Sequence, residues 1–196
     1  MDERSTRAST RAQFVETTAT LLEAQGYHAT GLNQILAESG APRGSLYYHF
    51  PGGKEQLAAE AVERAAALVT GRVERELAAH DDPAEAVCLF VRTIAQYVEA
   101  SGFRGGGPLT IVALETAASG DRLNLVCRAA YRRIEGAFAA RLSAGGFAPD
   151  RAARLATVIT AAIEGGTMLS RTAHSGDPLR LVAETLGDLL RVTPRA

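Results

Sequence analysis

Apolar residues recur along this chain at helical spacing, and no segment shows the strict alternation of a half-buried strand. The first stripe, Phe14, Thr18, Leu21 and Leu22, predicts a helix from about Thr6 to Gln25. Gly26 stops it, as a left-handed glycine does at a helix end. Tyr27 then packs back, and His28 and Ala29 make the turn. Leu32, Ile35 and Leu36 form the buried face of a short second helix over about 32–38, with Thr30 and Gly31 in its cap region. Gly40 ends that helix. Pro42 opens a third, since a proline in the first turn gives up no hydrogen bond, and Pro51-Gly52-Gly53 breaks it near Phe50. Two short helices joined by a brief glycine-containing turn make a helix-turn-helix.

From Lys54 onward the pattern changes to long, alanine-rich amphipathic helices, expected at about 54–79, 83–100, 108–118, 121–144, 149–172 and 177–192. Asp82-Pro83, Asp121, Pro149-Asp150 and Asp177-Pro178 are the starts, and Gly102, Gly145-Gly146 and Gly176 the stops. Gly105-Gly106-Gly107-Pro108 reads as the one flexible internal loop. The expected fold is all-α, with a helix-turn-helix domain over 5–65 and a second helical domain over 66–196.

The third helix, about 43–50, is where chemistry concentrates. Gly40 to Lys54 holds two tyrosines, a histidine, an arginine, a serine and a lysine, and no acidic residue. Only Leu46 and Phe50 stand at an i, i+4 apolar spacing, so this helix has one narrow buried edge. Gly44, Ser45 and Tyr48 lie on the opposite arc, flanked by Arg43, Tyr47 and His49. Such a surface suits a DNA groove. Arg43 can pair bidentately with guanine, Ser45 and Tyr48 can bond bases or phosphates, and Gly44 permits close approach. Tyr47, His49 and Lys54 fit phosphate contacts that fix register. Thr30, Gly31 and Asn33, at the start of the second helix, complete the candidate DNA-binding set. The alternative for this stretch is an aromatic-rich loop packed on the core.

Charge sharpens the picture. The 196-residue chain has a formal net charge of −1, and residues 1–54 carry five basic and five acidic side chains. DNA affinity must therefore come from local placement of charge. No apolar run is long enough for a membrane span, and the acidic start Met1-Asp2-Glu3-Arg4 is no secretory signal; a cytoplasmic location is expected. Cys88 and Cys127 stand singly in helical patterns and read as buried thiols. Catalysis finds no support. Ser45 and His49 stand i, i+4 with no orienting carboxylate, His80-Asp81-Asp82-Pro83 is a helix junction, and His174 lies near a helix end. No cluster has metal-ligand spacing, so no enzyme activity, metal or cofactor is expected.

Residues 11–54 resemble the DNA-binding domain of the tetracycline-repressor (TetR) family of transcriptional regulators. The resemblance is carried by Phe14, Leu21, Leu22, Gly26, Tyr27, Thr30, Ile35, Gly40, Gly44, the string Leu46-Tyr47-Tyr48-His49-Phe50, and Lys54. Pro42 and Gly31 depart from it, standing where the family often has a capping serine or threonine. Pro51-Gly52-Gly53-Lys54 is one residue longer than the common Phe-x-x-Lys linkage. That insertion, Gly40-Ala41-Pro42-Arg43-Gly44-Ser45, Gly107-Pro108-Leu109 and Ala162-Ile163-Glu164-Gly165 are similar to the LmrA/YxaF-like branch. The resemblance implies an all-helical, dimeric repressor whose C-terminal half binds an inducer. It would place Phe90, Tyr97, Leu109, Val112, Glu115 and Tyr131 around the effector cavity.

The residues of the C-terminal half point the same way on assembly. The helix over 149–172 is rich in small side chains, and Leu181, Leu186, Leu189 and Leu190 stripe the last helix. Two such helices meeting their two-fold mates would form a four-helix interface, with Ala161, Ala162, Gly165, Met168, Leu169, Leu186 and Leu189 in the contact. Both helices capping their own core is the alternative. A dimer also suits the reader, because one short recognition helix reads little sequence. The reading is a homodimer released from a palindromic operator by a small-molecule inducer. A carrier or sensor module without operator binding is one alternative; a DNA-binding protein whose packed C-terminal half only dimerises is another.

Overall fold

The computed structural model describes residues 3–118 and 122–192, and among these all regular structure is helical. The elements are α1 (Glu3–Ala29), α2 (Leu32–Ser39), α3 (Ser45–His49), α4 (Gly53–Ala78), α5 (Pro83–Ala100), α6 (Thr110–Thr116), α7 (Arg122–Ala144), α8 (Pro149–Ala173) and α9 (Asp177–Val192). Asp121, the expected start of α7, lies outside the described residues. Two compact units result. One comprises the described residues up to Ala67 with those of Pro108–Ala130, and the other comprises Leu68–Gly107 with those from Tyr131 onward. The expected division falls at 65; the first unit here also takes in α6 and the start of α7.

In the first unit α1 packs on α2, α3 and α6. The expected stripe of α1 is its core face: Phe14, Thr18, Leu21 and Leu22 are all buried. Phe14 meets Phe50 edge to face, with ring centroids 6.1 Å apart, a geometry worth about 0.5–1.5 kcal/mol beyond area burial. Gly26 breaks the helix as expected, with φ 80 and ψ −176, but the chain resumes one more turn to Ala29. The reason for glycine is twofold. Its φ is positive, and a Cβ there would sit 2.5 Å from Ile111 Cγ2 and 2.7 Å from Glu115 Oε1.

The third helix is shorter than expected. Regular α-geometry covers Ser45–His49 rather than 43–50. Pro42 to Gly44 form a turn instead, closed by the Ser45 N–H donating to Pro42 O at 3.0 Å and the Ser45 hydroxyl donating to the same oxygen at 2.6 Å.

In the second unit α5 and α8 pack on α9 and on each other, around Val87, Phe90, Val91, Phe138, Leu155, Ile159, Leu186 and Leu190, all buried. The start of α5 follows its sequence signal: Asp82 Oδ2 accepts the Glu85 N–H at 3.1 Å, with Pro83 in the first turn. Arg180 Nη2 donates to both carboxylate oxygens of Glu99, 2.7 Å to each, a charge-assisted tie between α9 and α5. Cys88 and Cys127 are buried and form no disulfide.

The glycine-rich segment after α5 is packed, contrary to the expectation of a flexible loop. Gly105 and Gly107 are buried. The Gly105 N–H donates to Ser101 Oγ at 2.9 Å, and Arg171 Nε donates to Phe103 O at 3.2 Å. A Cβ on Gly105 would lie 2.8 Å from the Tyr97 ring. Glycine is used here for close approach.

Candidate nucleic-acid interface

α3 is held by a narrow edge. Leu46 and Phe50 are buried, while Tyr47 and Tyr48 are 63% and 67% exposed. Beneath it, Arg11 stacks over the Phe50 ring, 5.1 Å from the centroid, and also pairs with Glu60. Arg11 was not a sequence candidate for this site. Its spacing of 49 residues from Glu60 gave no local signal.

The structure brings several candidates together on one exposed surface. Arg43 Nη2 donates to Asn33 Oδ1 at 3.2 Å, so the guanidinium of the turn before α3 is oriented from α2. Tyr48 and His49 pack edge to face at 5.1 Å. Gly31 and Gly44 are exposed, and a Cβ on either would meet nothing within 4 Å. Neither α2 nor α3 has a side-chain cap: their N-cap residues are Gly31 and Gly44, so Pro42, expected at the cap of the third helix, lies instead in the turn before it.

Other candidates are turned elsewhere. Thr30 is completely buried, and its hydroxyl donates to Gly26 O at 2.6 Å, which removes its side chain from the exposed surface. Ser45 commits its hydroxyl proton to Pro42 O but keeps acceptor capacity. Lys54 sits with its Nζ 4.2 Å from the centroid of the Tyr27 ring. Burial lowers its pKa, and the negative charge of Glu115 partly restores it.

The candidate effector residues fall in both compact units. Phe90, Tyr97 and Tyr131 belong to the second, and Leu109, Val112 and Glu115 to the first. Phe90 is buried edge to face on Phe138, centroids 5.7 Å apart. Tyr97 covers Gly105, and Tyr131 is half-buried on α7. Leu109 and Val112 are buried. The Glu115 carboxylate accepts the backbone N–H groups of Tyr27 and His28, at 2.5 and 3.3 Å. Among the described residues no group of three or more His, Cys, Asp or Glu is placed to hold a metal ion, and no helix is long and apolar enough to cross a membrane.

On α8 the candidate dimer residues divide cleanly. Met168 and Leu169 are 57% and 55% exposed, beside exposed Ala161 and Val158 and half-buried Ala162 and Gly165. A Cβ on Gly165 would meet nothing within 4 Å, whereas one on Gly166 would lie 3.0 Å from Leu179. The first glycine leaves the outer face low; the second lets α9 approach. Leu189 is half-buried on α9. Leu186 is buried in its own subunit, so it belongs to the packing under the face rather than to the face itself.

α1 carries both α2 and the short, exposed, aromatic α3, which is the arrangement of a helix-turn-helix. Residues 14–61 match the family described as bacterial regulatory proteins, tetR family, and residues 83–185 match the C-terminal domain of LmrA/YxaF-like transcriptional regulators. The chain belongs to the TetR family of transcriptional regulators, in its LmrA/YxaF-like branch. It is 41% identical to the HTH-type transcriptional regulator YxaF of Bacillus subtilis, over 95% of this chain and 98% of that one. It is 38% identical to the HTH-type transcriptional regulator LmrA of the same organism, over 92% and 96%. A solved TetR transcriptional regulator from Chloroflexus aurantiacus superposes with a TM-score of 0.83 at 28% identity, covering 97% of this chain and 98% of that one. These relatives are regulators, in keeping with the absence of a catalytic constellation expected from the sequence.

Proposed function

We propose that this regulator binds a palindromic DNA operator as a cytoplasmic homodimer and represses transcription until a small molecule bound in the C-terminal half releases it. The carrying observation is the surface of α3 and the turn before it. Arg43, Tyr47, Tyr48 and His49 lie beside Asn33, and the guanidinium is already oriented by that amide. Arg43 reads a guanine edge, Tyr48 and Ser45 bond bases or phosphates, and Tyr47 and His49 contact phosphate oxygens. Gly31 and Gly44 let the backbone come close. Exposed Met168, Leu169 and Ala161, with Gly165, form the contact that presents two such readers to half-sites one or more helical turns apart.

Release requires that the inducer bind the conformer with mismatched readers better than the DNA-bound one. A reading in which the operator is bound without any inducer is favoured by two observations: Phe90 is packed on Phe138, and the Glu115 carboxylate is engaged by backbone N–H groups. A thermal-shift screen with amphipathic and aromatic compounds separates the two, since a bound inducer raises Tm.

The DNA reading is tested by selecting binding sites from random duplexes and measuring affinity against salt. A palindrome, bound with a steep salt dependence, is expected. A chain that enriches no palindrome is the carrier or sensor module instead.

A further inference from the structure

The corner after Gly26 contains a construction that DNA contact does not explain. A helical turn restarts at Tyr27, and the first N–H groups of a turn need acceptors from outside it. Gly26 has no side chain to supply one. The acceptor comes from 88 residues away: Glu115 Oε2 on α6 receives the N–H of Tyr27 at 2.5 Å and that of His28 at 3.3 Å. The absence of a Cβ on Gly26 makes room for that carboxylate and for Ile111 beside it. The same corner holds Lys54, the second residue of α4, over the Tyr27 ring at 4.2 Å. Its ammonium feels the Glu115 charge, which partly offsets the cost of its burial. Thr30 closes the corner by donating to Gly26 O, directly before α2 begins.

We propose that Glu115 is a positioning residue for DNA binding: its carboxylate caps the 27–29 turn from α6, the turn over whose Tyr27 ring Lys54 lies, so the pose of α2 and α3 depends on α6. This rests on the DNA-binding reading above. Glu115 touches no base or phosphate in this scheme, and Lys54 serves as the counter-charge of the corner rather than as a phosphate anchor. Loss of the cap lets the turn open and spreads the reader over poses of which only some fit the groove.

The test uses the full-length protein, the selected operator and amide hydrogen exchange. In Glu115→Ala, exchange at Tyr27 and His28 should accelerate, and operator affinity should fall about tenfold, the size of a lost helix cap. The slope of log affinity against log salt should stay at the wild-type value, because no phosphate contact is removed. Glu115→Gln keeps an acceptor for the two N–H groups and should recover most of the affinity. Lys54→Met should weaken binding with the slope unchanged. A slope lower by about one in Lys54→Met would mark Lys54 as a phosphate contact and overturn its assignment here. Wild-type affinity in Glu115→Ala, or unchanged exchange at the two amides, overturns the proposal as a whole. If Glu115→Ala does not fold, Glu115→Asp carries the test: withdrawing the carboxylate by one carbon must shift both readouts in the same directions, and wild-type values in either count against it. Failure of the wild type to select any palindrome is a different result and sinks the DNA-binding reading itself.

Discussion

Tyr47 and Tyr48 on α3 are as exposed as Met168 and Leu169 on α8, at 63% and 67% against 57% and 55%, yet the two pairs suit different partners. Each tyrosine carries a phenolic hydroxyl at the end of an apolar ring, so it can lie against sugar and bond a phosphate. Methionine and leucine offer no such end. With Ala161, Val158 and Gly165 around them, they make a surface that water solvates poorly and another protein can cover. The support differs too. α3 has five residues and is held by Leu46 and Phe50, while α8 has twenty-five and buries much of its length. A reader needs polar tips on a small, steered platform; an assembly surface needs a long, rigid, bare one.

The comparison breaks most easily at the bare end. Replacing both Met168 and Leu169 by Glu puts two charges into the proposed contact. It should yield monomers by light scattering and an operator affinity lower by about 10²–10⁴-fold, the scale of a lost bivalent gain. A dimer that survives both changes removes α8 from the interface. Leu186 tests the boundary of that face. Leu186→Ala should lower subunit stability by about 2–5 kcal/mol in urea unfolding, because it empties a core position, and the folded fraction should still dimerise. At the polar end, Arg43→Ala should cost about 1–3 kcal/mol of operator affinity and relax preference at one base pair in each half-site. An Arg43→Ala protein that keeps wild-type affinity and sequence preference would remove that residue from base readout. The smallest effect is expected from Tyr47→Phe, which deletes only a hydroxyl. Operator affinity should drop by about 0.5–1.5 kcal/mol with the dimer intact. If Tyr47→Phe instead shifts the dimer equilibrium, the distinction between the two exposed pairs is wrong.

Most of the helix order was legible because its signals are local. Asp82-Pro83 and Pro149 start helices where a proline costs nothing, and the observed starts of α5, α8 and α9 agree with the expected ones. The interior stripe of α1 was legible for the same reason, since its spacing alone picks out Phe14, Thr18, Leu21 and Leu22. Direction in space was harder to read. Thr30 looked available as a polar residue before α2, but its hydroxyl bonds the Gly26 carbonyl that the kink exposes. The resemblance places Glu115 at the effector cavity, and nothing in the local sequence says that Tyr27 and His28 need an acceptor. Leu186 and Leu189 belong to one stripe in sequence, and packing of α9 against α5 and α8 decides which is buried. Gly105 to Gly107 show the ambiguity of glycine itself, which signals either freedom or crowding.

That glycine corner bears on how the protein can be handled. A segment of small residues between two helices is the usual choice for inserting a tag, a fluorophore or a second domain, and the usual site of proteolytic nicking. Here Gly105 lies under Tyr97 and is bonded to Ser101, while Arg171 holds the Phe103 carbonyl. A protease needs several residues drawn out into its cleft, and those residues are pinned from two helices. Inserted sequence would have to lift Tyr97 and break the Arg171 tie before it reached solvent. The stretch whose composition most invites cutting and splicing is therefore a poor place for either.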